Sequence, residues 1–219
     1  MDEPIYTYVP RQPRWYETVT GRILGLNIVM FIAQIILDDK DKEFTYSWAL
    51  SVPGIQEGHW WQLLTFQVLH GGPLHLLINC LIIHVMGRAI ETFIGGRRLF
   101  MVYFLSGIAG GLLEMAIKWH SPEGMHTAVL GASAGACGLV AVFATMFPFQ
   151  RLRVLIFFVI PVAMSARTLL WLTIGLSVVG MTGIMHDGIA HAGHLGGVVW
   201  GIVHTHLWLR RFAGPPPLS

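Results

Sequence analysis

Six apolar stretches dominate this chain and leave it few ways to fold in water. Crossing the hydrocarbon core of a bilayer takes about 20 mostly apolar residues. Stretches of that kind are predicted as spans at 18–37, 73–94, 99–119, 128–147, 168–183 and 188–209, the fifth being the shortest. Only 12% of the 219 residues are charged while 54% are hydrophobic, against roughly 25% charged in a soluble domain. Mean hydropathy is +0.60. In lipid every backbone polar group must be satisfied internally, and apolar runs of this length do so as helices. An all-α integral membrane protein with six transmembrane helices is therefore predicted.

The connections are as informative as the spans. The charged run DDKDKE closes the first, and residues 38–72 form a long loop. That loop sets Trp48, Trp60 and Trp61 among Pro53, Gly54 and Gly58, as expected of a segment lying in the membrane interface. Pro73 suits the first position of a helix. GGRR makes a short basic turn at 95–98, and HSPEGMHT a wet loop at 120–127. The apolar segment VLIFFVIPVAM (154–164) is interrupted by Pro161 and is read as re-entrant or interfacial. No linker or internal repeat divides the chain. A short cytoplasmic segment (1–17), one membrane domain (18–211) and a Pro-rich tail (212–219) are expected. The opening MDEPIYTYVPRQPRW has two acids and no apolar core, unlike a signal or transit peptide. Cys80 and Cys137 lie in apolar runs and suggest neither a disulfide framework nor a metal pair. A net charge of +2 without a basic-aromatic patch gives no reason to expect nucleic acid.

Flanking charge orients the spans. With the N-terminus inside, the cytoplasmic face holds all 11 arginines and the outer face the three lysines, Lys40, Lys42 and Lys118, which accounts for all 14 basic residues. The predicted orientation is N-in, C-in. Spans two, four and six then run from outside to inside. His75 and Asn79 fall in the first two turns of span two, Ser133 in the second turn of span four, and His194 in the second turn of span six. At 1.5 Å of rise per residue, all four sit roughly 5–10 Å below the outer interface. A common depth is what a shared, hydrated cavity produces, since polar groups in hydrocarbon face a bundle interior or water.

Ser133 lies in VLGASAGACGLV (129–140), within Gly-x-Ser-x-Gly, between Gly131 and Gly135. Taken alone, the motif reads as helix packing, because small residues let backbones approach. Its companions add chemistry. A serine hydroxyl becomes a nucleophile when a base takes its proton, and neutral histidine does this near pH 7. His194, in GHLGG, is the best base, and Gly196, Gly197 and Gly201 let its helix pack closely. His75 and Asn79, four apart, project from one helical face and, with the Ser133 N–H, can stabilise an oxyanion. His191 is the competing base. Asp187, Glu114 and Glu91 are the nearby acids, and none completes a triad, so a Ser–His dyad is read. With no HExxH and no carboxylate cluster at this depth, neither a metal nor another cofactor is expected.

These residues resemble the rhomboid family of intramembrane serine proteases. The resemblance covers roughly residues 60–205. It runs from WWQLLTFQVLHGGPLHLLINCL, with His70, His75 and Asn79, through GRAIETFIG, with Gly87 and Glu91. It continues in GASAG around Ser133 and ends in GHLGGVVWG, with His194, Gly197 and Gly201. It implies a rhomboid-like six-helix bundle with a membrane-embedded first loop, Ser133 as nucleophile, His194 as general base and acid, and His75 and Asn79 on the oxyanion side. Two positions depart from the family pattern. Trp61-Gln62 stands where Trp-Arg is common, and Cys137 where many members carry an aromatic residue stacked on the catalytic histidine.

The expected function is an endopeptidase that cleaves transmembrane segments of other membrane proteins near the outer interface. Its expected partners are those substrates and the lipid bilayer, in a plasma membrane of bacterial type. By family analogy, the fifth span and the segment before it are candidates for a lateral gate. An inactive rhomboid-like protein that binds or escorts membrane clients is one alternative. A proton-relaying transporter is another, but the chain has neither paired midplane charges nor two similar halves.

Overall fold

A single 3-10 turn, Trp15–Glu17, leads to Thr18, whose hydroxyl accepts the Gly21 N–H at 3.0 Å and so caps the first long helix. The structure, a computed structural model, describes residues 13–38, 42–121, 123–156, 160–182, 184 and 188–210. Asp187, most of the expected N-terminal segment and the Pro-rich tail lie outside them. In chain order the α-helices are α1 (Val19–Leu37), α2 (Glu43–Trp48), α3 (Val52–Gln56), α4 (Gln62–Thr65), α5 (Pro73–Ile94), α6 (Gly96–Lys118), α7 (Ser133–Met146), α8 (Ala166–Met181) and α9 (His191–Arg210). α1, α5 and α6 are long and apolar enough to cross a membrane, while α7 and α8 are shorter apolar helices.

The helices are inside-out. α1 buries Thr20, Asn27 and Gln34 and exposes Ile35 and Ile36 at 66% and 72%. Water would penalise that arrangement heavily, whereas lipid rewards it. Leu77, Leu81 and Val85 line an exposed strip of α5 in the same way. Integral membrane character thus follows from which faces are buried as well as from composition.

Several boundaries differ from the sequence expectation, each for a local reason. Gly95, at φ 78°, reverses the chain alone, so α6 begins at Gly96 and takes Arg97 and Arg98 into its first turn. Val129 is held extended by an isolated bridge to Leu50, and Gly131 has φ 132°. A helix cannot start before them, so Ser133 opens α7 rather than lying in its second turn. Ser165 caps α8 by accepting the Thr168 N–H at 3.1 Å, which starts that helix at Ala166. On either side of residues 157–159, which lie outside the described residues, the segment read as re-entrant or interfacial forms an antiparallel strand pair, β1 (Arg151–Ile156) with β2 (Ile160–Ser165), so the chain is mostly rather than entirely helical. Pro161 is tolerated opposite Leu155 because both strands of a two-stranded sheet are edges.

The long first loop carries its own small core. Leu50, Val52, Ile55 and Phe66 pack with Met115 of α6 and Val129, while Trp60 and Trp61 remain 63% and 50% exposed. The main core lies around α7, ten of whose fourteen residues are buried. α5, α6, α8 and α9 surround it, and α1 closes the far side of α5 and α6.

Candidate active site

Ser133 and His194 come from different helices and meet because glycine lines the seam between them. A side-chain carbon at Gly197 would run into the Ala134 carbonyl, and one at Gly110 of α6 into the Gly193 carbonyl. α9 therefore lies backbone to backbone against α7 and α6. His194 is three residues before Gly197, on the same helical face. Its Nε2 stands 2.8 Å from Ser133 Oγ, a hydrogen-bond distance. Ser133 is the first residue of α7, so its own N–H has no intrahelical acceptor and points from the positive end of the helix dipole.

Gly131 joins this pair to α5. At φ 132° it adopts a backbone that L-residues rarely reach, and a carbon added there would lie 2.8 Å from His75 Cε1, 3.0 Å from Nε2 and 3.7 Å from Ser133 Oγ. The Gly131 N–H donates to the Phe66 carbonyl at 2.9 Å. His75 Nδ1 accepts from the Gly71 N–H at 3.3 Å. A neutral ring accepting there carries its proton on Nε2, the atom beside Gly131 and so on the Ser133 side. Asn79 is 2% exposed, and its amide donates to the His75 carbonyl at 2.9 Å, which leaves its second N–H unused by that contact.

Two cavities flank Leu130. The smaller, about 10 Å³, is lined by Ser133, His194, Gly110 and Gly193, close to the room one water needs. The larger, about 250 Å³, is lined by Gln34, Asp38, Lys42, Thr45 and His70. His70 is buried, and neither ring nitrogen makes a hydrogen bond to the described residues. Its ring meets that of His75 at 5.2 Å, edge-on. Burial lowers the His70 pKa to about 4, with the neighbouring His75 adding to the effect and the Val68 backbone opposing it.

The remaining candidates separate cleanly. The His191 ring packs where any side chain on Gly180 of α8 would collide with it, and meets the His194 ring edge-on at 6.2 Å. Of the two histidines, His194 is the one placed on the serine. Glu91 accepts from Val19 N–H at 2.7 Å, Thr20 N–H at 3.0 Å and Thr20 Oγ1 at 2.6 Å; it caps α1. Glu114 accepts the Gly193 N–H at 3.0 Å. Gln62, where arginine was the family expectation, itself holds the first loop, accepting from Ser51 N–H at 3.2 Å and donating to the Ser47 carbonyl at 3.4 Å. Cys137 is partly buried against the main core. The contacts of Gln62 and Glu114 were not anticipated. A buried polar residue in an apolar stretch was the available signal.

The model of the Rhomboid domain matches residues 57–211. The chain belongs to the rhomboid family. Its rhomboid relatives include Rhomboid protease GluP of Bacillus subtilis, 30% identical over 153 residues, covering 67% of this chain and 26% of that protein. Rhomboid protease AarA of Providencia stuartii is 23% identical over 195 residues, covering 84% of this chain and 69% of its own length. Inactive rhomboid protein 1 of Drosophila melanogaster is 37% identical over 81 residues, covering 37% of this chain and 5% of that protein. The chain thus spans about a quarter of GluP and most of AarA. The first two relatives are named as proteases and the third as an inactive rhomboid.

Proposed function

We propose that the chain is an active intramembrane serine endopeptidase, spanning the membrane six times with both ends inside, that cuts transmembrane segments of other proteins near the outer interface. The observation that carries this reading is the 2.8 Å contact between Ser133 Oγ and His194 Nε2. His194 takes the hydroxyl proton as Ser133 attacks the scissile carbonyl, and the same nitrogen returns it to the leaving amine. The oxyanion develops beside the Ser133 N–H at the start of α7 and the His75 Nε2–H across Gly131, with Asn79 buried on the same helical face behind it. A water in the small cavity between Ser133 and His194 then hydrolyses the acyl-enzyme, with His194 as base. A helical substrate hides its carbonyls in its own hydrogen bonds, so cleavage favours segments weakened by glycine or other poor helix formers. The flank of α8, which buries few residues along its length, is the proposed side of approach.

The test is cleavage of a model single-span substrate by detergent-purified wild type, Ser133→Ala and His194→Ala. Wild type cleaves, and each variant loses on the order of a thousandfold or more in kcat, as expected when one member of a nucleophile–base pair is removed. Cleavage by Ser133→Ala at the wild-type rate rejects the assignment. Binding of the substrate without cleavage by wild type favours instead an inactive binder or escort.

A further inference from the structure

We propose that Glu114 is a positioning residue for the dyad: its carboxylate caps the N-terminus of α9 from a neighbouring helix and so sets the place of His194. The proposal rests on the proteolytic reading above, and it starts from a gap in the local sequence. The His194 N–H donates to the Ala190 carbonyl at 3.1 Å, which makes Ala190 the N-cap residue just before α9. Ser, Thr, Asp or Asn at that place would accept an N–H of the first turn, and a methyl group cannot. His191 N–H turns back to the Ile189 carbonyl at 2.9 Å. Gly193, in the first turn and directly before His194, finds its acceptor across the seam, in Glu114 Oε2 at 3.0 Å.

A carboxylate suits the place. It meets the positive end of the helix dipole and satisfies an orphan donor at once. Glu114 is 6% exposed, so its own charge needs compensation. Lys118, one turn on, provides it, with Nζ 3.6 Å from Oε1. The same ammonium donates to Thr127 Oγ1 at 3.0 Å, and Thr127 lies two residues before Val129, the bridge residue that holds the approach to Ser133. Glu114 and Lys118 thus tie the α9 turn that carries His194 to the bridged segment that leads into Ser133. Gly110, one turn earlier on α6, lies against the Gly193 carbonyl, so α6 holds the Gly193 N–H and packs on its carbonyl. Glu114 touches neither reacting atom, and its effect passes through the α9 backbone.

The experiment compares full-length wild type, Glu114→Gln and Glu114→Met, measuring kcat and KM on the single-span substrate and the rate at which a fluorophosphonate probe labels Ser133. Methionine keeps the volume and removes the acceptor, while glutamine keeps an acceptor oxygen. Glu114→Met loses about tenfold to a hundredfold in kcat and in labelling rate with KM unchanged, the size expected when a catalytic group is displaced by about an ångström. Glu114→Gln restores most of both. A general packing defect would not be rescued in this way. Wild-type kcat in Glu114→Met overturns the proposal, and so does a Glu114→Gln variant as impaired as Glu114→Met. Should Glu114→Met not fold, the glutamine variant decides alone, with near-wild-type kcat expected and a large loss overturning the role. A wild type that neither cleaves nor labels overturns the proteolytic reading and this inference with it, a pattern distinct from an active wild type unaffected by the substitution.

Discussion

The two walls around Ser133 are built in opposite ways. Toward α9 the contact is almost all backbone: Gly197 lies on the Ala134 carbonyl, and Gly201 on that of Gly138. Toward α1 and α5 it is almost all side chain. Asp38 accepts from Thr45 Oγ1, Gln34 bonds Thr45 and the His70 N–H, and His70, which lines a cavity of about 250 Å³, meets the His75 ring edge-on. Lipid supplies no hydrophobic drive between helices, so close dispersion contact and hydrogen bonds must hold them. Backbone surfaces have no rotamers, and they suit a seam where two atoms must stay 2.8 Å apart. Side chains have rotamers and can rearrange, so this wall is the more adaptable of the two.

On that contrast, the largest effects come from the backbone seam. Gly197→Val drives a branched side chain into the Ala134 carbonyl one turn from the dyad. Overpacking of this kind costs roughly 1–3 kcal/mol. The separation of α7 from α9 removes the proton transfer, so fluorophosphonate labelling of Ser133 falls by about a hundredfold or more. Wild-type labelling in this variant would break the comparison at its firmest point. Next comes Gly131→Ala, where the walls meet. Its φ of 132° and the 2.8 Å approach to His75 Cε1 make the methyl strained and obstructive. We expect kcat to fall by about tenfold to a hundredfold through a displaced oxyanion donor, with the thermal midpoint in detergent only slightly lower. A rise in KM with kcat unchanged would place Gly131 outside the oxyanion side.

What was legible in the sequence follows the same division. Helix-length apolar runs and the arginine bias need only composition and order, and Ser133, His194 and His75 stood out as polar residues at one depth. The start of α7 did not, because the Leu50–Val129 bridge joins segments far apart in the chain. Nor did the strand pair: Arg151 and Arg153 alternate with Leu152 and Val154 in a strand-like period of two, but the apolar run after them hid it. Glu114 was legible as a costly charge and not as a cap, since a cap given from another helix leaves no mark near the helix it serves.

The side-chain wall gives a pH effect. The His70 pKa is lowered to about 4 from the ordinary 6.5, so between these values the unfolded chain binds a proton that the folded chain does not. Stability therefore rises with pH across that window and falls as pH drops from about 6.5 toward 4, by up to about 3 kcal/mol. Thermal melts in detergent at pH 7 and 4.5 measure it. His70→Phe, which cannot titrate, should flatten the difference while leaving the Ser133–His194 seam untouched. An unchanged slope would assign the acid sensitivity elsewhere.

The smallest effect is the sharpest control. Gly175 lies mid-way along α8, and a carbon added there meets nothing within 4 Å. If glycines in these helices served only a general need for small residues, Gly175→Ala would disturb the fold as changes at Gly197 do. If they matter only where backbones touch, alanine there is free of clashes and favours the helix by up to about 1 kcal/mol. The expected result is unchanged cleavage with an equal or slightly higher melting temperature. Because α8 packs on α9 through Gly180 and His191 rather than through Gly175, a loss of activity in Gly175→Ala would mean that α8 makes a contact during turnover that the resting arrangement does not contain.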